Sequence, residues 1–204
     1  KNLYINYQLI KKTMKKLKAI FAILLFATII YSCNNSTVEG VVVSDEEKAK
    51  FQAQIETFKT FTNGFFNEDI DLTMSVMADS VKWSPPNYNG NQLIDSDGLR
   101  AAGISYFEGF DGITFNEGDG LVGSDNAYWS GSLYTAGETN TDPSVMRVYG
   151  TWSMTHTETG APVSNKWYGV LTFNEDGKIA VFSDWMDVNG MQVQINNFIE
   201  SNKN

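Results

Sequence analysis

The sequence predicts an α+β domain. Apolar residues recur at three- and four-residue steps from Phe51 to Phe110, then alternate at every second residue from about position 127 onward. Neither an internal repeat nor a linker separates the two patterns. Helices first and antiparallel strands second read as one domain of helices packed on a meander.

The elements follow in order. Ser44-Asp45-Glu46-Glu47 is a capping box: a Ser cap, Glu three residues on, and acids in the first turn. Phe51, Ile55, Phe58, Phe61 and Phe65 then make one face of a long helix ending near Asn67. Residues 69–78 predict a second, short helix with Ile70, Met74 and Met77 inward. Val81-Lys82-Trp83 is a short strand stopped by Pro85-Pro86, and 87–95 is loop. Asp97 caps a third helix, with Leu99, Ala102, Gly103, Tyr106, Phe107 and Phe110 on one face. Residues 127–135, 145–157, 166–173 and 178–187 alternate as strands, with a further strand over 113–122. The stretches 159–162 and 174–177 are hairpin turns, and 137–144 is a polar loop.

Charge separates two segments. The chain has 204 residues, 15 bases and 24 acids, but six of the lysines and none of the acids precede Cys33. From Cys33 onward nine bases face 24 acids, a net charge of −15. Such a surface excludes nucleic acid as a partner, which needs a basic footprint. One Cys excludes an intramolecular disulfide, and one Cys with one His excludes the usual zinc sets. No metal and no cofactor is expected.

Lys15, Lys16 and Lys18 precede an apolar run over 19–31, too short at 1.5 Å per residue for a bilayer core of about 30 Å. A basic region followed by a short apolar one reads as a secretory signal. Met14 is its natural start, and the residues before it carry no targeting logic. Ile30-Tyr31-Ser32-Cys33 resembles a bacterial lipobox, of the Bacteroidetes type. The resemblance implies cleavage before Cys33, lipidation there, and a membrane-tethered protein of the cell envelope, on the outer membrane or the periplasmic face. Tyr31 is larger than the usual residue at its position. The organisation expected is upstream residues and signal over 1–32, lipidated Cys33 and polar tether over 33–44, and one domain over 45–204. Stable anchoring takes more than one acyl chain, at roughly 0.8 kcal/mol per buried CH₂.

The order of elements resembles the NTF2-like, SnoaL-like superfamily, and local motifs agree. Asn67-Glu68-Asp69-Ile70-Asp71 leading to Met77-Ala78-Asp79-Ser80-Val81 is similar to its second-helix region. Asp176-Gly177-Lys178-Ile179 is similar to its last hairpin, and Asp187-Val188-Asn189-Gly190-Met191-Gln192-Val193-Gln194-Ile195 to its tail. The resemblance implies a cone: three N-terminal helices packed in a curved antiparallel sheet, with an apolar pocket between. Members include isomerases, dehydratases, cyclases and binders, so fold alone does not decide chemistry.

Alternation sorts the side chains. Trp152, Met154 and His156 share a face, as do Trp167, Gly169, Leu171 and Phe173. In the last strand either Phe182, Asp184 and Met186 or Val181, Ser183 and Trp185 point inward. The resemblance, counted from the hairpin Gly177, implies the first set. The expected pocket holds Trp152, Met154, Trp167, Leu171, Phe182, Met186 and Asp184, with Trp83 and Tyr88 at its mouth. Asp184 is a desolvated general acid or base, a solvated acid if the strand faces the other way, or a structural acid bound by a Tyr or Asn. Register puts it level with about Trp167. His156, the lone histidine, falls at the rim and is a catalytic candidate only if it reaches Asp184. Asp187 reads as a cap on the turn at Asn189-Gly190.

Ketosteroid isomerase roles do not carry over: 82–86 holds no acid, the oxyanion tyrosine falls near Phe61, and the oxyanion acid near Gly169. Dehydratases of the superfamily lean on two histidines, and this chain has one. Trp129, Trp185 and Tyr128 suit either carbohydrate stacking or a sheet face, and Gly118-Asp119-Gly120 lacks the spacing of a calcium loop. The outer face carrying Ser153, Thr155, Val181, Ser183 and Trp185 suggests a homodimer. The preferred function is binding of a small apolar or amphipathic molecule. The alternatives are a lyase, isomerase or cyclase using Asp184 with a Tyr or His156, and a structural envelope protein with a filled cone. A cavity of at least about 300 Å³ separates these from the last.

Overall fold

Ser44 opens the first helix as its sequence predicts. Its hydroxyl accepts from the Glu47 amide at 3.1 Å, and the Glu47 carboxylate accepts from the Ser44 amide at 2.8 Å. The computed structural model describes residues 42–119, 127–130 and 141–203, and every element below lies within the unit Val43–Asn204. The signal segment, Cys33, most of its tether, and 131–135 of a predicted strand lie outside the described residues.

Helix α1 (Asp45–Phe66) buries Phe58 and Phe61 and half-buries Phe51, Ile55 and Phe65, the predicted face. Complete burial of Phe58 stabilises by roughly 2–3 kcal/mol. Glu68, with φ +55°, turns the chain back, and Asp69 caps α2 (Ile70–Ser75) through the Leu72 amide. The two helices meet at Gly64, where a Cβ would stand 2.6 Å from the Thr73 amide nitrogen. Helix α2 ends earlier than its sequence predicts, because Met77 already pairs with Ile179 as part of strand β1 (Met77–Ser84). Helix α3 (Ser96–Gly109) is capped by Asp95 rather than Asp97, through the Gly98 amide at 3.1 Å.

Strands β2 (Phe110–Glu117), β3 (Tyr128–Ser130), β4 (Val145–His156), β5 (Pro162–Phe173) and β6 (Ile179–Met186) follow. The sheet order is β1-β6-β5-β4-β2, and β3 shares the β2 edge of β4. One difference from the expected antiparallel sheet is that β1 runs parallel to β6. The chain leaves α2 beside the start of β6 and continues along it in the same direction, so the sheet is curved and mixed. At the β5–β6 hairpin, Phe173 pairs with Ile179 but Thr172 pairs with Val181, so Ala180 is an extra residue, a β-bulge. Ile179 and Phe182 are both buried although three residues apart, because the bulge reverses the alternation.

A fourth helix, α4 (Val188–Ser201), was not anticipated. Its signal is Met191, Ile195 and Phe198 at four- and three-residue steps, the first two buried. Asp187 caps it through the Gly190 amide at 2.8 Å, as the turn reading predicts. Buried Asn165 fixes this exit: its side chain donates to the Asp187 carbonyl at 3.0 Å and accepts from the Asp187 amide at 3.1 Å.

The core lies between α1 and the inner face of the sheet. Phe58 stacks on Trp167, with centroids 5.7 Å apart, and meets Phe115 edge-on at 5.6 Å. Such pairs add about 0.5–1.5 kcal/mol beyond area burial.

Candidate functional site

Asp184 sits on β6, faces the interior and is only 5 % exposed. Its strand partner is Gly169, two residues from the expected level of Trp167. The Trp83 indole N–H donates to Asp184 Oδ1 at 2.8 Å, and the Trp167 indole N–H donates to Oδ2 at 2.9 Å. Each carboxylate oxygen therefore has one charge-assisted partner.

Backbone geometry explains both donors. Trp83 pairs with Phe182 of β6 on one side, and on the other exchanges two backbone hydrogen bonds with Ile94 at 2.8 and 2.7 Å. Pinned on both edges, its indole projects across the strand to Asp184. Trp167 reaches the same carboxylate by lying over Gly169. A Cβ at Gly169 would come within 2.1 Å of that ring. Gly150 does the same for Phe115, whose ring lies 2.3 Å from a would-be Cβ. Two inward glycines thus leave room for aromatic rings to pack directly against the sheet backbone.

A chamber of about 60 Å³ opens in front of Asp184. Helix α1 contributes Phe61 and Phe65 to its wall; α3 contributes Leu99, Ala102, Gly103 and Tyr106; the sheet contributes Trp83, Trp152, Met154, Trp167, Phe182 and Met186. A second space of about 300 Å³ is lined by Pro86, Asn87, Ser105, Phe110 and Val188, and shares Trp83, Ala102 and Tyr106 with the first. Those three side chains stand between chamber and vestibule.

Burial raises the Asp184 carboxyl to about 6, against the opposing effect of the two indole hydrogen bonds. Tyr106 is pushed up to about 12, by burial first and the Asp184 charge second, so it stays a neutral hydroxyl. None of the ion pairs among the described residues includes Asp184. No group of three or more His, Cys, Asp or Glu is placed to hold a metal among the described residues.

Three expected site residues lie elsewhere. Tyr88 is 86 % exposed on the loop after Pro85-Pro86 and lines neither space. Leu171 faces inward but is sealed in the core at 1 % exposure and does not line the chamber. His156 sits at the β4–β5 hairpin, where its Nδ1 meets the Thr159 hydroxyl at 2.9 Å and its ring abuts Phe110. It lines neither space, so it is not brought to Asp184. The helical wall was missed: Leu99, Ala102, Gly103 and Tyr106 were recognised as one face of α3 but not assigned to the pocket. Their signal was present in that face's mixture of small residues and one hydroxyl.

No protein-family model matches the chain, and no curated protein sequence does. Solved structures match its fold. The pinacolase BvnE of Penicillium brevicompactum superposes with a TM-score of 0.56 at 12 % identity, over 80 % of this chain and 99 % of that one. An NTF2-like protein of unknown function from Burkholderia pseudomallei gives 0.52 at 16 %, over 70 % and 97 %. A protein with a ketosteroid isomerase-like fold from Catenulispora acidiphila, in complex with trimethylamine, gives 0.51 at 8 %, over 69 % and 92 %. At these identities the likeness carries fold and not chemistry. The chain has the NTF2-like fold.

Proposed function

We propose that this protein is a binding protein of the bacterial cell envelope that holds a small molecule in the cone. A polar head sits in the chamber at Asp184, and an apolar body extends past Trp83, Ala102 and Tyr106 into the vestibule. The observation that carries the reading is the buried carboxylate held by two indole N–H groups in front of an open space. A filled structural core gains nothing from such a group, since burying a charge costs several kcal/mol unless something binds it. The chamber alone is smaller than usual ligand pockets, but with the vestibule the volume suits a small ligand.

A screen of small amphiphilic molecules by thermal shift tests this reading. Ligands that raise the melting temperature, and lose that effect when Ala102→Trp narrows the shared wall, are expected. A chain stabilised by no member of the screen refutes it.

A second reading has one observation in its favour: a carboxyl raised to about 6 and a neutral Tyr106 hydroxyl on the walls of one chamber. These are the parts of a general base and an oxyanion donor. Against it, each carboxylate oxygen already accepts one hydrogen bond, which lowers its basicity. Turnover of a bound ligand that collapses in Asp184→Asn while binding persists would establish catalysis instead.

The envelope location rests on the lipobox at Cys33. Membrane fractionation of Cys33→Ala is expected to release the protein into the soluble fraction. A variant that stays in the membrane with its N-terminus intact points to an uncleaved anchor.

A further inference from the structure

We infer that the head group received by Asp184 is a small organic cation, a protonated or methylated ammonium. The inference rests on the reading of the chamber as a binding site.

Charge accounting comes first. The carboxylate is 5 % exposed and is held by two neutral donors, with no cation beside it in any ion pair of the described residues. Two indole dipoles orient a negative charge but do not neutralise it. A ligand bringing one positive charge would restore the balance that burial disturbs.

Hydrogen-bond polarity comes second. An ionised carboxylate only accepts, and both indole N–H groups are spent on it. The remaining lone pairs of Asp184 therefore face the chamber, with the neutral Tyr106 hydroxyl able to donate or accept beside them, which suits an N⁺–H donor and disfavours anions.

The walls come third. Trp83, Trp152, Trp167, Tyr106, Phe61 and Phe65 surround the space with aromatic rings. Ring faces attract desolvated ammonium groups. A metal ion would need several oxygen ligands, and the chamber has one carboxylate. An apolar cavity of about 150 Å³ holds benzene, so a chamber near 60 Å³ takes a head of only a few heavy atoms.

The test uses calorimetric titration of the whole protein at constant ionic strength. Methylammonium and trimethylammonium are compared with methanol and 2-propanol, neutral molecules of the same heavy-atom count and branching. At about pH 7.5 a cation is expected to bind about tenfold more tightly than its neutral counterpart. That preference should vanish in Asp184→Asn. It should also fall in the wild type at about pH 5, where the carboxyl is protonated. The wild-type pH series keeps the test sound should the variant fold poorly. Among the described residues, Asp184 from β6 and Tyr106 from α3 are the only titratable groups lining the chamber; α1, β1, β2, β4 and β5 contribute none. His156, at the β4–β5 hairpin, lines neither space, so His156→Gln must show the same pH dependence. Neutral probes binding as tightly as the cations would overturn the inference and leave the pocket reading standing. Binding by none of the four probes also overturns it, while the pocket reading is judged by its own screen.

Discussion

Asp184 and Trp185 are adjacent in the chain and opposite in environment. The carboxylate is 5 % exposed on the inner face of the sheet, and the indole is 53 % exposed on the outer face. This inverts the usual partition of charge and apolar surface. Outside, Trp185 heads a row of stacked rings across three strands: Trp185 on Tyr168 at 5.3 Å and Tyr168 on Tyr149 at 4.7 Å. Inside, the rings lie over glycines and turn their N–H groups to one acid. The same residue types thus serve two ends. Aromatic rings across the outer face are cross-strand adhesive, whereas on the inner face they form a lined and charged space. Composition does not distinguish these roles; the presence of Gly150 and Gly169 beneath the inner rings does.

The comparison is broken most severely at Gly169. Gly169→Ala drives a methyl into the Trp167 indole and should cost about 2–4 kcal/mol in urea unfolding, through overpacking and a lost charge-assisted hydrogen bond. A loss below about 0.5 kcal/mol would mean the indole moves aside freely and the grip on Asp184 is not rigid.

Next comes the charge itself. The folded state raises the Asp184 carboxyl from 3.8 to about 6, so between these values the folded chain binds a proton that the unfolded chain has lost. Stability from this group therefore falls as pH rises from about 4 to about 6, by on the order of 2–3 kcal/mol. The wild type should lose this amount relative to Asp184→Asn across that window. Parallel stability profiles would place the carboxylate in water.

A smaller effect sharpens the inner half. Gln54, on α1, is also buried, yet among the described residues neither its amide nitrogen nor its amide oxygen has a hydrogen-bond partner. Each Asp184 oxygen has a donor; this amide has none among the described residues. Gln54→Met should raise stability by about 1–2 kcal/mol, read from the urea midpoint. A destabilised variant would indicate a bridging water.

The outer face should respond least in monomer stability. Trp185→Ser should cost about 0.5–1 kcal/mol, the scale of one stacked pair. Its larger consequence should be in light scattering. We expect the outer ladder to join two copies, so the variant should be monomeric at concentrations where the wild type is dimeric. A wild type that is already monomeric removes the dimer.

Much of this architecture was legible. The capping box at Ser44 and the phenylalanine steps of α1 are local signals, and the helix follows them. The strands follow period two. What escaped depends on pairing between distant segments. β1 was read as a short isolated strand because its partner lies about a hundred residues away, and nothing local announces a parallel edge. The α3 wall escaped because a helix face shows what is buried but not against which cavity. Alternation alone left the last strand undecided: counted by twos from Ile179, it would put Val181, Ser183 and Trp185 inside. The family resemblance implied the opposite phase, and the bulge at Ala180 is its physical cause. The register of Asp184 is displaced by two residues: the bulge supplies one, and the turn, which closes at Phe173–Ile179 and not at Phe173–Lys178, supplies the other.

That bulge has a consequence for how the hairpin tolerates changes in length. With Ala180 present and no bulge, every later residue of β6 would oppose its neighbour's partner, exchanging the acid for the indole inside the cone. With Ala180 deleted, the ladder becomes regular and Asp184 still faces Gly169, so the chamber keeps its charge. Loss of Val181 is absorbed the same way, since Ala180 then stands opposite Thr172, whereas loss of Ser183, beyond Phe182, has no such buffer and would turn the acid outward. The bulge is therefore a spare residue that isolates the chemistry of the cone from editing at the hairpin tip.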